Sequence, residues 1–167
     1  MKEFNLLNCI GKALNSPETQ RLLNITNIPE EKLQRSVHAF TTFGISKYVE
    51  LHFQKATIIQ LYLEDESKYI QETFKPLINQ MLEEPNNMLF LEAILINNNS
   101  LFELGYHLPV SIKINKSTKE ELLNILGEPY LVNTMFNSVG WRINDYNFAC
   151  GFDEANDILM DITISIF

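Results

Sequence analysis

Two stretches of the chain alternate apolar and polar residues with a period of two. In the first, Val49, Leu51 and Phe53 alternate with Tyr48, Glu50 and His52, and then Ile59, Leu61 and Leu63 alternate with Ile58, Gln60 and Tyr62. In the second, Phe148, Cys150 and Phe152 form one apolar row, and Met160, Ile162, Ile164 and Ile166 form another against Asp161, Thr163 and Ser165. Period-two alternation places one side of a strand against a core and the other toward water, so each stretch reads as a β-hairpin. A strand candidate ending in glycine precedes each hairpin: Phe40–Gly44 and Phe136–Gly140.

A helix signal precedes each of these groups. Ser16 before Pro17 suits an N-cap followed by proline at the first helical position. Ser117-Thr118-Lys119-Glu120 reads as a capping box, Gly127 as the residue that closes the helix, and Pro129 as the stop. Leu22-Leu23-Asn24-Ile25 recurs as Leu122-Leu123-Asn124-Ile125, and Pro29 recurs as Pro129. The same order of elements with matching residues predicts an internal duplication. The second hairpin loop, Asp153-Glu154-Ala155-Asn156-Asp157, is expected to be two residues longer than the first.

Between the repeats, Ile70, Phe74, Leu77, Ile78 and Met81 fall at helical spacing and predict a helix over 68–83, with Pro76 inside it or opening its second half. Met88 to Ile96 is apolar throughout, and periodicity does not choose between helix and strand there. Asn97–Ser100 reads as a turn, and Leu108, Val110, Ile112 and Ile114 alternate into the second repeat. The expected fold is therefore α+β: two tandem units, each a short helix followed by a three-stranded antiparallel sheet, joined by a helical segment. The units are assigned to 1–66 and 108–167, with the connector at 67–107.

Composition narrows the function. The chain of 167 residues is 46% apolar, and its net charge is −8. Charge is uneven: residues 1–84 carry 9 basic and 11 acidic side chains, and residues 85–167 carry 4 and 10. An acidic field disfavours nucleic acid and anionic membranes and favours basic partners. No apolar run reaches the roughly 18–20 residues of a membrane helix, and no leader pattern opens the chain, so a cytoplasmic address is expected. Cys9 and Cys150 lack metal-ligand spacing and read as small reduced residues.

Catalytic patterns are sparse. His38, His52 and His107 stand apart in sequence, the glycines are scattered, and the carboxylate pairs sit at loop and helix boundaries. Neither an enzyme nor a cofactor or metal is expected. An encounter of Cys150 with His52 is the one nucleophile arrangement that the sequence leaves open. Aromatic residues among acids suit a protein-binding surface. The candidate contact residues are Asp145, Asp153, Glu154 and Asp157, with Tyr130, Trp141 and Tyr146 as anchors.

The run Leu108-Pro109-Val110, Ser117-x-x-Glu120-x-Leu122-x-x-Ile125-Leu126-Gly127-Glu128-Pro129, then Gly140-Trp141 and a hairpin, resembles the small unit of the beta-lactamase-inhibitor-protein fold and of small outer-membrane assembly lipoproteins. In tandem form it resembles immunity proteins of contact-dependent inhibition and polymorphic toxin systems. That resemblance implies an immunity protein that neutralises a cognate bacterial toxin, a basic nuclease domain, by occluding its active or substrate-binding site. The alternative is a non-catalytic adaptor or chaperone-like protein-binding module.

Overall fold

A computed structural model describes residues 4–47, 49–97 and 112–167. Among the described residues four α-helices and one eight-stranded antiparallel sheet make up an α+β fold. The helices are α1 (Pro17–Thr26), α2 (Ala56–Glu64), α3 (Lys68–Leu82) and α4 (Lys119–Leu126). The strands are β1 (Gln34–Arg35), β2 (Thr42–Ile45), β3 (Val49–Lys55), β4 (Leu89–Ile96), β5 (Leu131–Asn133), β6 (Ser138–Ile143), β7 (Tyr146–Phe152) and β8 (Leu159–Ser165). Their order in the sheet is β1-β2-β3-β4-β8-β7-β6-β5, so two four-stranded meanders meet where β4 pairs with β8.

An inward row of side chains runs across this seam. Leu51 faces Ile94, Ile94 faces Ile164, Ile164 faces Phe148, and Phe148 faces Trp141. A second such row joins Val49, Ile96, Ile162, Cys150 and Val139. All ten residues are buried in one hydrophobic cluster, which also takes in Leu22, Ile59, Phe74 and Leu122 from the four helices. At about 25 cal/mol for each Å² of apolar surface removed from water, rows of this size dominate the stability of the sheet. The alternate, outward row holds Glu50, His52, Leu95, Ala149 and Thr163, and Leu95 and Ala149 lie outside the cluster.

The segment Ile58–Leu63, expected as the second hairpin strand of the first unit, is helical. It belongs to α2, which buries Ala56, Ile59 and Leu63 at helical spacing. The strand that pairs with β3 is instead β4, the run whose periodicity was silent. Helices α2 and α3 are inserted between these two strands, and one eight-stranded sheet stands where two three-stranded sheets were expected. Helix α3 continues through Pro76 without interruption. The expected extended residues Leu108 and Val110 and most of the Asn97–Ser100 turn lie outside the described residues.

Glycine is required at two close approaches. Gly11 has φ +79°, and a Cβ there would lie 2.9 Å from Leu77. This lets the chain at Gly11–Leu14 pair with Leu89–Leu91, extending the sheet beside the lower half of β4. At Gly44 a Cβ would meet Ile28 and Leu33 at 2.7 Å, so the chain leaving α1 lies directly on β2. Gly44 therefore faces inward opposite Leu51, whereas Gly140 lies opposite Ala149 in the outward row. The two glycines matched in the sequence occupy opposite faces.

Candidate partner-binding surface

The second meander holds an apolar tip and an acidic loop against each other. Between β5 and β6 the chain turns through Thr134–Asn137, and the Asn133 side chain sets that turn by accepting from the amides of Met135 (3.1 Å) and Phe136 (3.3 Å). Met135 is 80% and Phe136 71% exposed. Asn137 Nδ2 then donates to the carbonyls of Phe152 (3.3 Å) and Asp153 (3.1 Å) and to the Asp157 carboxylate (3.0 Å). Its Oδ1 accepts from Lys119 Nζ at 3.0 Å, which ties the start of α4 to the same junction.

The acids of the β7–β8 loop are fixed rather than loose. Asp153 accepts from the Ala155 amide (2.8 Å) and the Asn156 side chain (3.0 Å), and these bonds hold its exposed carboxyl below the usual carboxylate range. Asp157 adopts a left-handed φ of +54°, and its carbonyl accepts from the Lys119 amide at 2.9 Å. Glu154 is exposed between them. Together the three acids form a mainly negative patch beside two large apolar side chains, with the Lys119 ammonium at the same junction.

The seven residues singled out from the sequence do not converge. Asp145 lies in the tight turn joining β6 to β7, where Asn144 and Asp145 both have positive φ and Tyr69 Oη donates to the Asp145 carboxylate at 3.2 Å. That turn and the loop Asp153–Asp157 are at opposite ends of β7, whose 7 residues separate them by about 20 Å. Tyr130 belongs with the Asp145 end. Its hydroxyl donates to Asn147 at 2.8 Å and its ring lies 5.1 Å from the Arg142 guanidinium. Burial raises the Tyr130 phenol, Arg142 opposing and Glu66 adding to the shift.

Tyr146 is half-buried, its ring 6.1 Å from that of Phe74, and burial followed by Asp145 raises its phenol. Trp141 is no surface anchor. It is 3% exposed in the inward row, and its indole Nε1 donates to the Gly127 carbonyl at 3.0 Å, fastening the end of α4 to the sheet. The residues that sequence reading missed are Met135 and Phe136. Their signal was two bulky apolar residues in a turn bracketed by Asn133 and Asn137, where no core face could take them.

The one open nucleophile arrangement is not formed. Cys150 points inward and His52 outward, where His52 Nε2 lies 2.7 Å from Glu50 Oε1. Burial pushes the Cys150 thiol well above its ordinary value, and Cys9 up to about 12 with Glu18 contributing. Among the described residues no group of three or more His, Cys, Asp and Glu could hold a metal ion, and no helix is long and apolar enough to cross a membrane. Comparison of the chain with protein-family models, curated proteins and solved structures gives no match.

Proposed function

We propose that the protein works by binding another protein, and that its partner is a basic bacterial toxin domain which it neutralises by occlusion, as an immunity protein does. The observation that carries this reading is the exposed Met135–Phe136 pair latched by Asn137 beside Asp153, Glu154 and Asp157. Large apolar side chains supply affinity once desolvated, and a mainly acidic rim raises the rate of encounter with a basic partner. Hydrogen bonds hold Asp153 and Asp157 in place before binding, which lowers the ordering cost of association. A cytoplasmic site of action belongs to the same proposal.

The two meanders are read as diverged copies of one unit. In support, Leu51 pairs with Ile94 and Val49 with Ile96 in the first, as Cys150 pairs with Ile162 and Phe148 with Ile164 in the second. The helical pair α2–α3 then occupies, in the first copy, the place that the acidic loop occupies in the second. Both loops join the third and fourth strands of their meander.

The deciding experiment captures partners from the native cells at low salt with the wild-type chain and with a Met135→Ser/Phe136→Ser variant. The expected result is one stoichiometric basic partner, lost with the variant. Expressed alone that partner arrests growth, and only the wild-type chain restores it. A partner that is not toxic, or is retained equally by the variant, overturns the reading. The adaptor alternative has its own observation: Val37 and Phe40, also exposed, sit at the tip of the β1–β2 hairpin and offer a second apolar contact. Two simultaneous partners, each sensitive to one tip, would favour it.

A further inference from the structure

A cleft of about 450 Å³ opens where β1, β2 and β3 meet the start of α2. Its lining includes Phe40, Ile58 and Leu89 as apolar walls, Thr57 and Asn87 as neutral polar groups, and Arg35 and Lys55 as its charged residues. In a chain of net charge −8, a cleft whose charged lining is two cations and no acid runs against the average field of the molecule. Arg35 lies 5.9 Å from the Phe40 ring and Lys55 reaches Asn87 Oδ1 at 3.4 Å, and among the described residues neither side chain has an ion-pair partner within 4.0 Å.

The backbone adds to the same sign. Helix α2 begins without a side-chain cap, whereas Ser16, Ser67 and Thr118 cap α1, α3 and α4. The first-turn amides of a helix lack intrahelical acceptors and carry partial positive charge. Thr57 and Ile58, in that first turn, line the cleft.

We propose that this cleft binds an amphipathic carboxylate: an acid head between Arg35 and Lys55, and a short apolar body over Phe40, Ile58 and Leu89. The volume falls within the range of small-molecule sites, and charge-assisted hydrogen bonds to a carboxylate are the strong ones available to these side chains. Arg35 offers a planar fork and Lys55 a point charge to such a head. This proposal stands apart from the toxin-binding surface, which lies in the other meander.

The test uses anilinonaphthalene sulfonate, a fluorescent aromatic anion, titrated into the folded protein, with octanoate, octanol and inorganic phosphate as competitors. One saturable dye site is expected, displaced by octanoate but not by octanol or phosphate. Arg35→Gln/Lys55→Gln should weaken it about tenfold or more, the scale of one lost charge-assisted contact, with the thermal midpoint unchanged. Met135→Ser/Phe136→Ser should leave it untouched. Dye binding unchanged in the Arg35/Lys55 variant, displacement by octanol as readily as by octanoate, or loss of binding in the Met135/Phe136 variant would each overturn the proposal. A charge-conserving Arg35→Lys variant guards against a fold defect, because it should restore most of the binding.

Discussion

Leu95 lies opposite Thr163 in the β4–β8 seam, and the pairs on either side of it set isoleucine against isoleucine, Ile94 with Ile164 and Ile96 with Ile162. The inward row crosses the seam there without a break, so both meanders share one buried layer.

Ile94→Ala is therefore expected to destabilise the whole chain by about 2–5 kcal/mol, the usual cost of an aliphatic deletion in a packed core. Urea unfolding followed by Trp141 fluorescence, which reports the second meander, should coincide with unfolding followed by far-ultraviolet circular dichroism. Two separated transitions would show that the meanders fold independently.

The capping of α4 separates two neighbouring residues. Thr118 Oγ1 accepts from the Glu121 amide (3.2 Å), and Glu121 Oε2 accepts from the Thr118 amide (2.9 Å). Thr118→Ala should cost about 1 kcal/mol. Glu120→Ala should cost a few tenths at most, because Glu120 is exposed and takes no part in the box. Thermal midpoints of the two variants decide it, and equal losses would refute the assignment.

Glu92 sets a pH dependence. The β-bulge opposite His52 and Phe53 leaves it half-buried, and burial raises its carboxyl from the ordinary range to about 7. In the unfolded chain the same group ionises near 4.3. Across that interval the folded chain holds a proton that the unfolded chain has released, so this contribution to stability falls as pH rises toward 7 and is lost above it. Glu92→Gln should be more stable than wild type at pH 8 by on the order of 2 kcal/mol, and little different at pH 4. The difference between the two stability curves isolates Glu92 from Asp161, whose carboxyl burial also raises.

Neither thiol should react in the native state. Cys9 and Cys150 are fully buried, and burial raises both well above the range in which a thiolate forms at neutral pH. Labelling with a thiol reagent should require opening, and under slow labelling should accelerate in Ile94→Ala by about tenfold for each 1.4 kcal/mol of lost stability.

The strands β3, β7 and β8 were legible where alternation holds, over Val49–Phe53, Phe148–Phe152 and Ile162–Ile164. Met160, expected in the apolar row, is exposed, because the register shift beside Phe152 turns Leu159 inward instead. The helices α1 and α4 were legible from their caps and from Leu22 and Leu122, both fully buried. The box on α4 was read one residue early because Ser117-Thr118-Lys119-Glu120-Glu121 contains two overlapping registers. Ser117 Oγ instead accepts from the Lys113 amide, which fixes the chain just before the helix.

Helix α2 was read as a strand because Ile58 to Leu63 is apolar at both spacings, and only Ala56, which begins the buried stripe, separates them. Strand β4 could not be assigned because flanking strands and a bulge bury nearly all of it, which erases alternation. The candidate surface was half legible. The acidic loop followed from charge density, but whether Trp141 faces out or in depends on the Gly127 carbonyl, which no local pattern reveals.

The place of β8 at the centre of the sheet sets a schedule for biosynthesis. It is made of residues 159–165, yet it pairs with β4, about 70 residues earlier in the chain. While the ribosome is still adding residues 100–158, the upper half of β4, residues 93–96, is an edge that lacks the strand it pairs with in the fold, and only Leu89–Leu91 has its partner, Gly11–Leu14. Such an edge is open to pairing with another chain, and contacts this distant in sequence form slowly. The nascent chain is thus most exposed to aggregation just before β8 emerges, and it gains its shared core in one late step rather than meander by meander.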